Sequence, residues 1–385
     1  GNQVMDDLGN FPYLATYGTN SSYNYLINGS KPVIVKAPGL VAPDFTWETV
    51  TQMDFGFDAS FLNNRLTGTF DWYRRNTKDM LVAGATLPAT LGASVPKSNS
   101  ADMKTIGWEL SLGWNDRLEN GFSYWVKGVL SDYQATITKY AGNDAGFYSQ
   151  SDGDGKYYVG QKIGEIWGYH SNGLFQSDDE AATIDQSELY AGKWGAGDVK
   201  YEDLDNDGKI TKGEETIYNP GDKSIIGNKT PRYQFGITVG FDYKNFDFEM
   251  FWQGTGKRDY MLSGAQFWGF TSQWDVPYTP ALDYWTETNT DAYFPRPGWQ
   301  NGGNRVISDR YLQSAAYGRL KNLTVGYTIP KNLTTKWGIS RLRLYVTGEN
   351  LLTITPLNDA FDPETLGGMT YPINRKVAIG LNLTL

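Results

Sequence analysis

Apolar and polar residues alternate in several separate stretches of this chain, and this alternation constrains the fold more than any other feature of the sequence. From Val377 to Leu385 every odd residue is aliphatic and every even residue is small or polar. The same period of two runs through 53–61, 106–114, 233–243 and 341–347. Because successive side chains of a β-strand point to opposite sides, each stretch is predicted to be a strand with one apolar face.

Short connections indicate how these strands pair. The stretch 66–72 follows the first strand across Asn63-Asn64, and 246–252 follows 233–243 across Lys244-Asn245. Such short links are typical of antiparallel hairpins. We count roughly nine or ten strands and find no sustained helical periodicity, so the predicted fold class is all-β and antiparallel.

Two long polar stretches, at about 141–230 and 257–311, separate groups of strands. Loops this long are uncommon inside compact soluble domains, whereas short turns at one end and long extracellular loops at the other are typical of outer-membrane barrels. A soluble β-sandwich also alternates and is the main alternative. The rings of Trp108, Trp114, Tyr233 and Tyr243 resemble the aromatic girdles of membrane barrels and favour a transmembrane β-barrel.

Composition excludes several classes of function. The net charge of −9 argues against nucleic acid as a partner, because phosphates require a basic surface. The chain has no Cys, which excludes thiol catalysis and Cys-ligated metals. No apolar run approaches the roughly 18 residues of a transmembrane helix, and the first residues carry no signal peptide.

Several motifs add a family resemblance to this pattern. They are GDVKY at 197–201, IIGNKTPRY at 225–233, YGRLKNLTVGYTIP at 317–330, LRLYVTGENLLT at 342–353, FDPE at 361–364, YP at 371–372 and GLNLTL at 380–385. In this order and combination they resemble the C-terminal part of SusC-like TonB-dependent transporters.

The resemblance implies that residues 1–385 are the C-terminal strands of a plugged 22-stranded barrel in the outer membrane of a Gram-negative bacterium. The plug domain and the signal peptide would then lie upstream. Such proteins import glycans or oligopeptides with a SusD-like lipoprotein as a lid, and the TonB complex acts through the N-terminal part. The alternative is a surface carbohydrate-binding β-protein without transport. A glycoside hydrolase ranks third, so we predict no enzyme.

An acidic motif within the first long stretch predicts a cation site. Residues 203–214 fit the twelve-residue calcium loop of an EF-hand at positions 1, 3, 5, 6 and 12. The hard oxygen ligands favour Ca²⁺, with Mg²⁺ possible, in a structural role. The predicted ligands are the carboxylates of Asp203, Asp205, Asp207 and Glu214, the carbonyl of Lys209, and the hydroxyl of Thr211 or a water that it holds. An acidic, solvated loop without an ion is the alternative.

The aromatic residues of the second long stretch are candidates for substrate contact. Trp268, Trp274, Trp285 and Trp299 could stack on sugar rings or pack on peptides. Packing against a partner or against other loops is the alternative, and it is the favoured explanation for any single one of these rings. The single His170, with no Cys, is interpreted as an ordinary loop residue, because it predicts neither a zinc set nor a catalytic triad.

Overall fold

The computed structural model describes residues 13–20, 26, 29–31, 33–36, 38–43, 45–84, 88, 90, 92–141, 143, 146, 157–298, 300–366 and 371–385. The strands are β1 Gly18–Asn20, β2 Ile34–Lys36, β3 Thr49–Phe61, β4 Leu66–Ala83, β5 Lys97–Arg117, β6 Ser123–Tyr140, β7 Glu165–Tyr169, β8 Ser171–Leu174, β9 Val199–Tyr201, β10 Lys223–Asn228, β11 Arg232–Tyr243, β12 Phe246–Lys257, β13 Asp259–Met261, β14 Leu312–Ser314, β15 Tyr317–Thr328, β16 Arg341–Ile354 and β17 Lys376–Thr384. Three short α-helices are α1 Asp178–Ala181, α2 Ala265–Trp268 and α3 Lys331–Thr334, and 3₁₀ turns span Thr279–Leu282, Gly302–Arg305 and Thr335–Trp337.

Nine strands form one antiparallel sheet in the order β17-β16-β15-β12-β11-β6-β5-β4-β3. Each of them pairs with the next sheet strand along the chain, so the sheet is an up-and-down meander. The links 62–65, 118–122, 244–245 and 329–340 lie at one end of the sheet, and the links 84–96, 141–231, 258–316 and 355–375 lie at the other. The all-β antiparallel prediction is therefore confirmed. Within the described part of the chain the barrel is not closed, because the edge strands β3 and β17 do not pair with each other.

The strands are longer than alternation alone predicted. The stretch 106–114 lies in the second half of the 21-residue β5. The 18-residue β6 has no alternating pattern that would predict it, because its sequence mixes polar and apolar residues on both faces. Pairing with β5 and β11 on either side holds it in the sheet.

One face of the sheet is apolar and exposed. Residues that lie directly opposite each other on neighbouring strands share a face. One such row crosses the whole sheet through Phe61, Leu66, Trp114, Val126, Val239, Met250, Leu323, Gly348 and Val377. On the same face Phe57 is 62% exposed and Leu381 is 59% exposed. Burial of one such side chain is worth about 1.5–3 kcal/mol, so this face is stable only against an apolar environment.

Aromatic rings lie at two levels of this apolar face. Near the short links, Phe122 stacks on Phe241 at 5.4 Å between ring centroids, and Phe246 contacts Tyr327 at 4.7 Å. Nearer the long links, Phe55 stacks on Trp72 at 6.0 Å, and Trp72 lies opposite Trp108. Rings at two levels fit the girdles that flank the lipid-facing band of a membrane barrel.

The opposite face is polar and contains close ring–glycine contacts. One cross-strand row holds Asp71, Glu109, Ser131 and Gln234. Glycine is frequent on this face, and at some positions it has a steric cause. A Cβ atom at Gly107 would overlap the ring of Tyr73, and one at Gly240 would overlap the ring of Trp125. These glycines let large rings lie flat on the sheet.

The long connections fold into a compact core of their own. They contain β7–β10, β13, β14 and several helical turns. Their buried side chains form one cluster, with members Tyr169, Leu174, Val199, Tyr201, Ile210, Met261, Leu262, Phe267, Ala281, Phe294, Tyr311, Ala315, Leu357 and Leu366. The prediction of long, merely polar loops therefore underestimated their order. Tyr, Phe and Leu that are scattered through polar sequence converge only after folding.

Candidate cation-binding loop and its surroundings

The loop 203–208 is shaped by the first carboxylate of the acidic motif. Asp203 Oδ1 accepts hydrogen bonds from Asn206 N at 2.7 Å and Asp207 N at 3.2 Å, and its Oδ2 accepts one from Gly208 N at 2.8 Å. Asn206 and Gly208 have φ of +63° and +84°, which Asn and Gly tolerate better than other residues. The motif therefore builds a tight turn that draws the chain around one carboxylate.

Asp222 completes an acidic group that the motif did not contain. Oxygens of Asp203, Asp205 and Asp222 all lie within 4.8 Å of one another. Asp222 is fully buried, and its carboxylate accepts hydrogen bonds from Leu204 N at 2.8 Å and Thr211 N at 2.7 Å. Spacing within a twelve-residue template could not reveal it, because it follows the template's last residue by eight positions. An acidic residue directly before strand β10 was the available signal.

The other predicted ligands, among them Asp207, Thr211 and Glu214, form hydrogen bonds within this segment. Asp207 Oδ1 accepts a hydrogen bond from Lys209 N at 2.8 Å, and Thr211 is bound to Asp222 through its backbone. Glu214 donates its backbone N–H to Asn219 O at 3.0 Å. Among the residues that the structure describes, the acidic group of three excludes both Asp207 and Glu214.

The electrostatics of the acidic group are asymmetric. Burial opposes ionisation of Asp203. The hydrogen bonds that its carboxylate accepts from backbone N–H groups outweigh burial and hold its pKa below the usual value. At Asp205, burial and then the negative charge of Asp207 raise the pKa. A divalent cation between Asp203, Asp205 and Asp222 would relieve this repulsion.

The loop is anchored to the core by the residue that follows its turn. Ile210 is fully buried, and its N–H donates to Asp185 O at 2.8 Å. Asp185 N in turn donates to Gly208 O at 3.0 Å. Ile210 therefore fixes the loop to neighbouring backbone and to the buried cluster.

A buried carboxylate joins the two long connections. Asp198 is fully buried, and Arg296 donates to both of its oxygens, at 2.9 and 2.6 Å. Asn304 Nδ2 donates to the same carboxylate at 2.8 Å, and so does Gly195 N at 2.9 Å. A paired and fully hydrogen-bonded charge is the form in which a buried carboxylate is tolerated.

The four candidate tryptophans fall in different environments. Trp268 is half-buried, packs edge-on against Tyr311 at 4.5 Å and lines a cavity of about 420 Å³. Trp285 is half-buried and lies against Gly197, where a Cβ would overlap its ring. Trp274 is 83% exposed. Trp299 lies outside the described residues. The structure therefore does not gather these rings into one surface.

His170 has more partners than its sequence context indicated. Its Nδ1 lies 2.7 Å from Asp309 Oδ2, and its Nε2 lies 2.7 Å from Ser224 Oγ. This is the hydrogen-bond order of a Ser-His-Asp triad, which a lone His in the sequence did not indicate. The neighbouring cavity is lined by Tyr169 and Lys223 rather than by these three side chains. The arrangement links β10 and the second long connection to the junction between β7 and β8.

These features together define the class of protein. A β-meander with an exposed apolar face, two levels of aromatic rings and long connections folded at one end is the wall of an outer-membrane β-barrel. None of the described helices is long and apolar enough to span a membrane.

Comparison with known proteins gives the family. The family model described as TonB dependent receptor-like, beta-barrel matches residues 6–351. The chain belongs to this family and is therefore part of the wall of an outer-membrane β-barrel of a Gram-negative bacterium.

Named relatives agree with this assignment. The chain is 29% identical to TonB-dependent receptor P3 of Formosa agariphila over 97% of its own length and 38% of the relative. It is 26% identical to TonB-dependent receptor SusC of Bacteroides thetaiotaomicron over 100% of its length and 36% of the relative. The solved structure of the RagAB peptide transporter superposes with a TM-score of 0.73 at 22% identity, over 96% of this chain and 38% of that one. The chain thus spans less than two fifths of these relatives.

Proposed function

We propose that the protein serves TonB-dependent import of glycans or oligopeptides across the outer membrane, together with a SusD-like surface lipoprotein as a lid. The observation that carries this proposal is the ordered core that the long connections build at one end of a family barrel wall. Ordered connections at the end of a rigid scaffold are where binding functions concentrate. The TonB complex would act through an N-terminal plug domain, and nothing in this role requires catalysis.

Growth on defined nutrients tests the import role. A strain that lacks the gene should lose growth on one member of a panel of glycans and oligopeptides, and reintroduction of the gene should restore it. Inactivation of TonB should abolish the same growth. Unchanged growth of the deletion strain on the whole panel would contradict import, and growth that is independent of TonB would contradict the energy source.

Co-purification tests the partner. The tagged, complete protein extracted in mild detergent should co-purify with a lipoprotein in a one-to-one ratio. The complex should come out of the membrane intact, without a denaturant. An outer-membrane preparation in which the tagged protein is recovered alone would count against a lid.

We infer further that Asp203, Asp205 and Asp222 hold a structural Ca²⁺, with Mg²⁺ as the weaker alternative. The convergence of three carboxylates within 4.8 Å supports this inference, as does the raised pKa of Asp205, which burial and neighbouring charges cause. Carbonyl oxygens and waters would complete the coordination. The cation would stiffen the segment 203–222 of the first long connection, whose two ends carry its ligands.

Calorimetry and proteolysis test the cation. Ca²⁺ should bind with measurable heat, and chelation should increase protease cleavage within 203–214. Asp205→Asn should weaken binding more than Asp207→Asn, because only Asp205 belongs to the converging group. Equal effects of the two substitutions would favour the ligand set of the twelve-residue calcium loop, which includes Asp207. Cleavage that is unchanged by chelation would show that no cation orders the loop. The barrel of Asp205→Ala should still insert into the membrane.

A further inference from the structure

The 420 Å³ cavity lies between the two long connections. The first connection contributes Tyr169 and Lys223 to its wall, and the second contributes Trp268 and Arg305. The volume lies in the lower part of the roughly 300–1,000 Å³ that is typical of small-ligand sites. The cavity therefore admits one ring or one large side chain rather than several residues of a polymer.

Most of the cavity wall is apolar. Its apolar side chains are those of Trp167, Tyr169, Leu189, Met261, Leu262, Trp268, Val306 and Ile307. Tyr169, Met261 and Leu262 belong to the buried cluster of the connections, so the cavity is a gap at the edge of that hydrophobic core. The exposed residues Lys212 and Ser263 also line it, which shows that it reaches the surface. An apolar group that entered this gap would leave water for a hydrophobic surrounding.

The charges at the cavity are balanced. Lys212, Lys223 and Arg305 line it, and Lys223 Nζ is bound to Glu215 Oε1 at 2.8 Å. Burial lowers the pKa of Arg305, and the negative charge of Asp275 opposes that shift. Burial and then three acidic side chains raise the pKa of Tyr169, namely those of Glu188, Asp222 and Glu215. These acids offset the three cations, so neither an anionic nor a cationic ligand would meet an excess of opposite charge.

Several polar groups of the wall already have partners. Tyr169 Oη donates to Thr211 O at 3.3 Å, and Trp167 Nε1 donates to Tyr158 Oη at 3.3 Å. Arg305 Nη1 donates to two backbone carbonyls at 3.1 and 3.3 Å. A sugar ring carries hydroxyls around its rim, and hydroxyls that are buried without partners weaken binding. An aromatic or aliphatic side chain needs no such partners.

We propose that this cavity binds one uncharged aromatic or large aliphatic side chain of an oligopeptide. The side chain would pack against Trp268 and Met261, and the peptide backbone would remain near the exposed Lys212 and Ser263. This inference names the substrate class of the proposed import function and rests on it. Aromatic and aliphatic groups that leave water for a well-packed pocket supply the strongest contacts of many binding sites.

Calorimetry on the complete, detergent-purified protein tests the site with a matched series of probes. The probes are blocked peptides acetyl-Gly-Ser-Xaa-Ser-Gly-amide, in which Xaa is Phe, Leu, Ala, Lys or Glu, and the neutral glycan maltotriose. The Phe or the Leu peptide should bind at least about tenfold more tightly than the Ala peptide, because it buries a larger apolar side chain. The Lys and Glu peptides should bind no more tightly than the Ala peptide, and maltotriose should not compete.

Matched variants locate the binding. Ser263→Phe should weaken the tightest peptide by about tenfold or more, because the new ring would occupy the cavity. Ser263→Ala should bind normally, because the hydroxyl is not required. Gln273→Phe adds the same ring at an exposed residue of the same connection that does not line the cavity, and it should change nothing.

Four results would each overturn the proposal. They are equal affinities for the Phe, Leu and Ala peptides, no saturable binding of any peptide, equal effects of Ser263→Phe and Gln273→Phe, and maltotriose binding that Ser263→Phe abolishes. The last result would assign the cavity to a glycan.

The failure of this inference and the failure of the import proposal are distinguishable. TonB-dependent growth that Ser263→Phe leaves unchanged, together with equal affinities for the peptides, would reject the cavity and keep import. Selective binding of the Phe or Leu peptide by a protein whose deletion affects growth on no nutrient would keep the cavity and reject import.

Discussion

At the scale of single residues, the folded connections depend on polar contacts between positions far apart in sequence. Asp198 and Arg296 are separated by 98 residues and form a two-point ion pair. The side chain of Asp198 is 1% exposed, whereas that of Arg296 is 40% exposed. Water therefore compensates part of the arginine's charge, while the carboxylate depends on its protein partners.

Asp198→Asn should destabilise the folded connections by about 2–3 kcal/mol. Loss of one member of a fully buried pair costs about 3–5 kcal/mol, and the exposure of Arg296 reduces that cost. Limited proteolysis of the detergent-purified protein should show faster cleavage within 141–230. Asp178→Asn is the control, because the Asp178–Lys193 pair is exposed on both sides and contributes little. Equal cleavage of the two variants would disprove the role of Asp198.

At the scale of elements, each sheet strand presents two unlike faces. In β5, Leu112 lies on the apolar face and is 49% exposed. Its neighbour Ser111 lies on the polar face, opposite Thr69 and Val129 and near Asp71 and Glu109. A one-residue shift therefore changes the environment from lipid to polar surroundings.

Leu112→Lys should reduce barrel assembly, whereas Ser111→Lys should leave it close to normal. A Lys on the lipid face costs about 2–4 kcal/mol near the middle of the bilayer, but at position 111 it would lie near two acidic side chains. The measurement is the fraction of outer-membrane protein that shows heat-modifiable gel mobility. If both variants assembled equally well, the assignment of the two faces would be wrong.

At the scale of the whole molecule, apolar side chains have two destinations. Those of the meander lie exposed on one face, whereas those of the long connections are buried in their own cluster. A water-soluble sandwich would bury the sheet face as well. In this protein the lipid bilayer covers the apolar face of the sheet in place of a second sheet. The long connections form the hydrophobic core that is stable in water.

Quenching by brominated lipid should distinguish the faces of the assembled protein. Trp114 and Trp125 lie on neighbouring strands at nearly the same height, but Trp114 belongs to the apolar row and Trp125 covers Gly240 on the polar face. In vesicles of lipid with brominated acyl chains, Trp114→Phe should reduce the quenched share of tryptophan fluorescence. Trp125→Phe should leave that share unchanged. The reverse result would show that the face of Trp125, and not the face of Trp114, contacts lipid.

The alternation of residues by itself determined the class of this fold. A period of two specifies a strand and its apolar face locally, and the short links specify antiparallel pairing, because both depend on neighbouring residues. The acidic motif determined the turn at Asp203 for the same reason. These features needed no knowledge of distant parts of the chain.

Only the tertiary structure decided which distant residues meet. It brought Asp222 to Asp203 and Asp205, joined His170 to Ser224 and Asp309, and left Trp274 exposed while Trp268 is half-buried. It also placed large rings over Gly107 and Gly240, where the sequence indicated only small polar-facing residues. The reason is physical: contacts across tens of residues depend on how the long connections pack, and no local spacing encodes that packing.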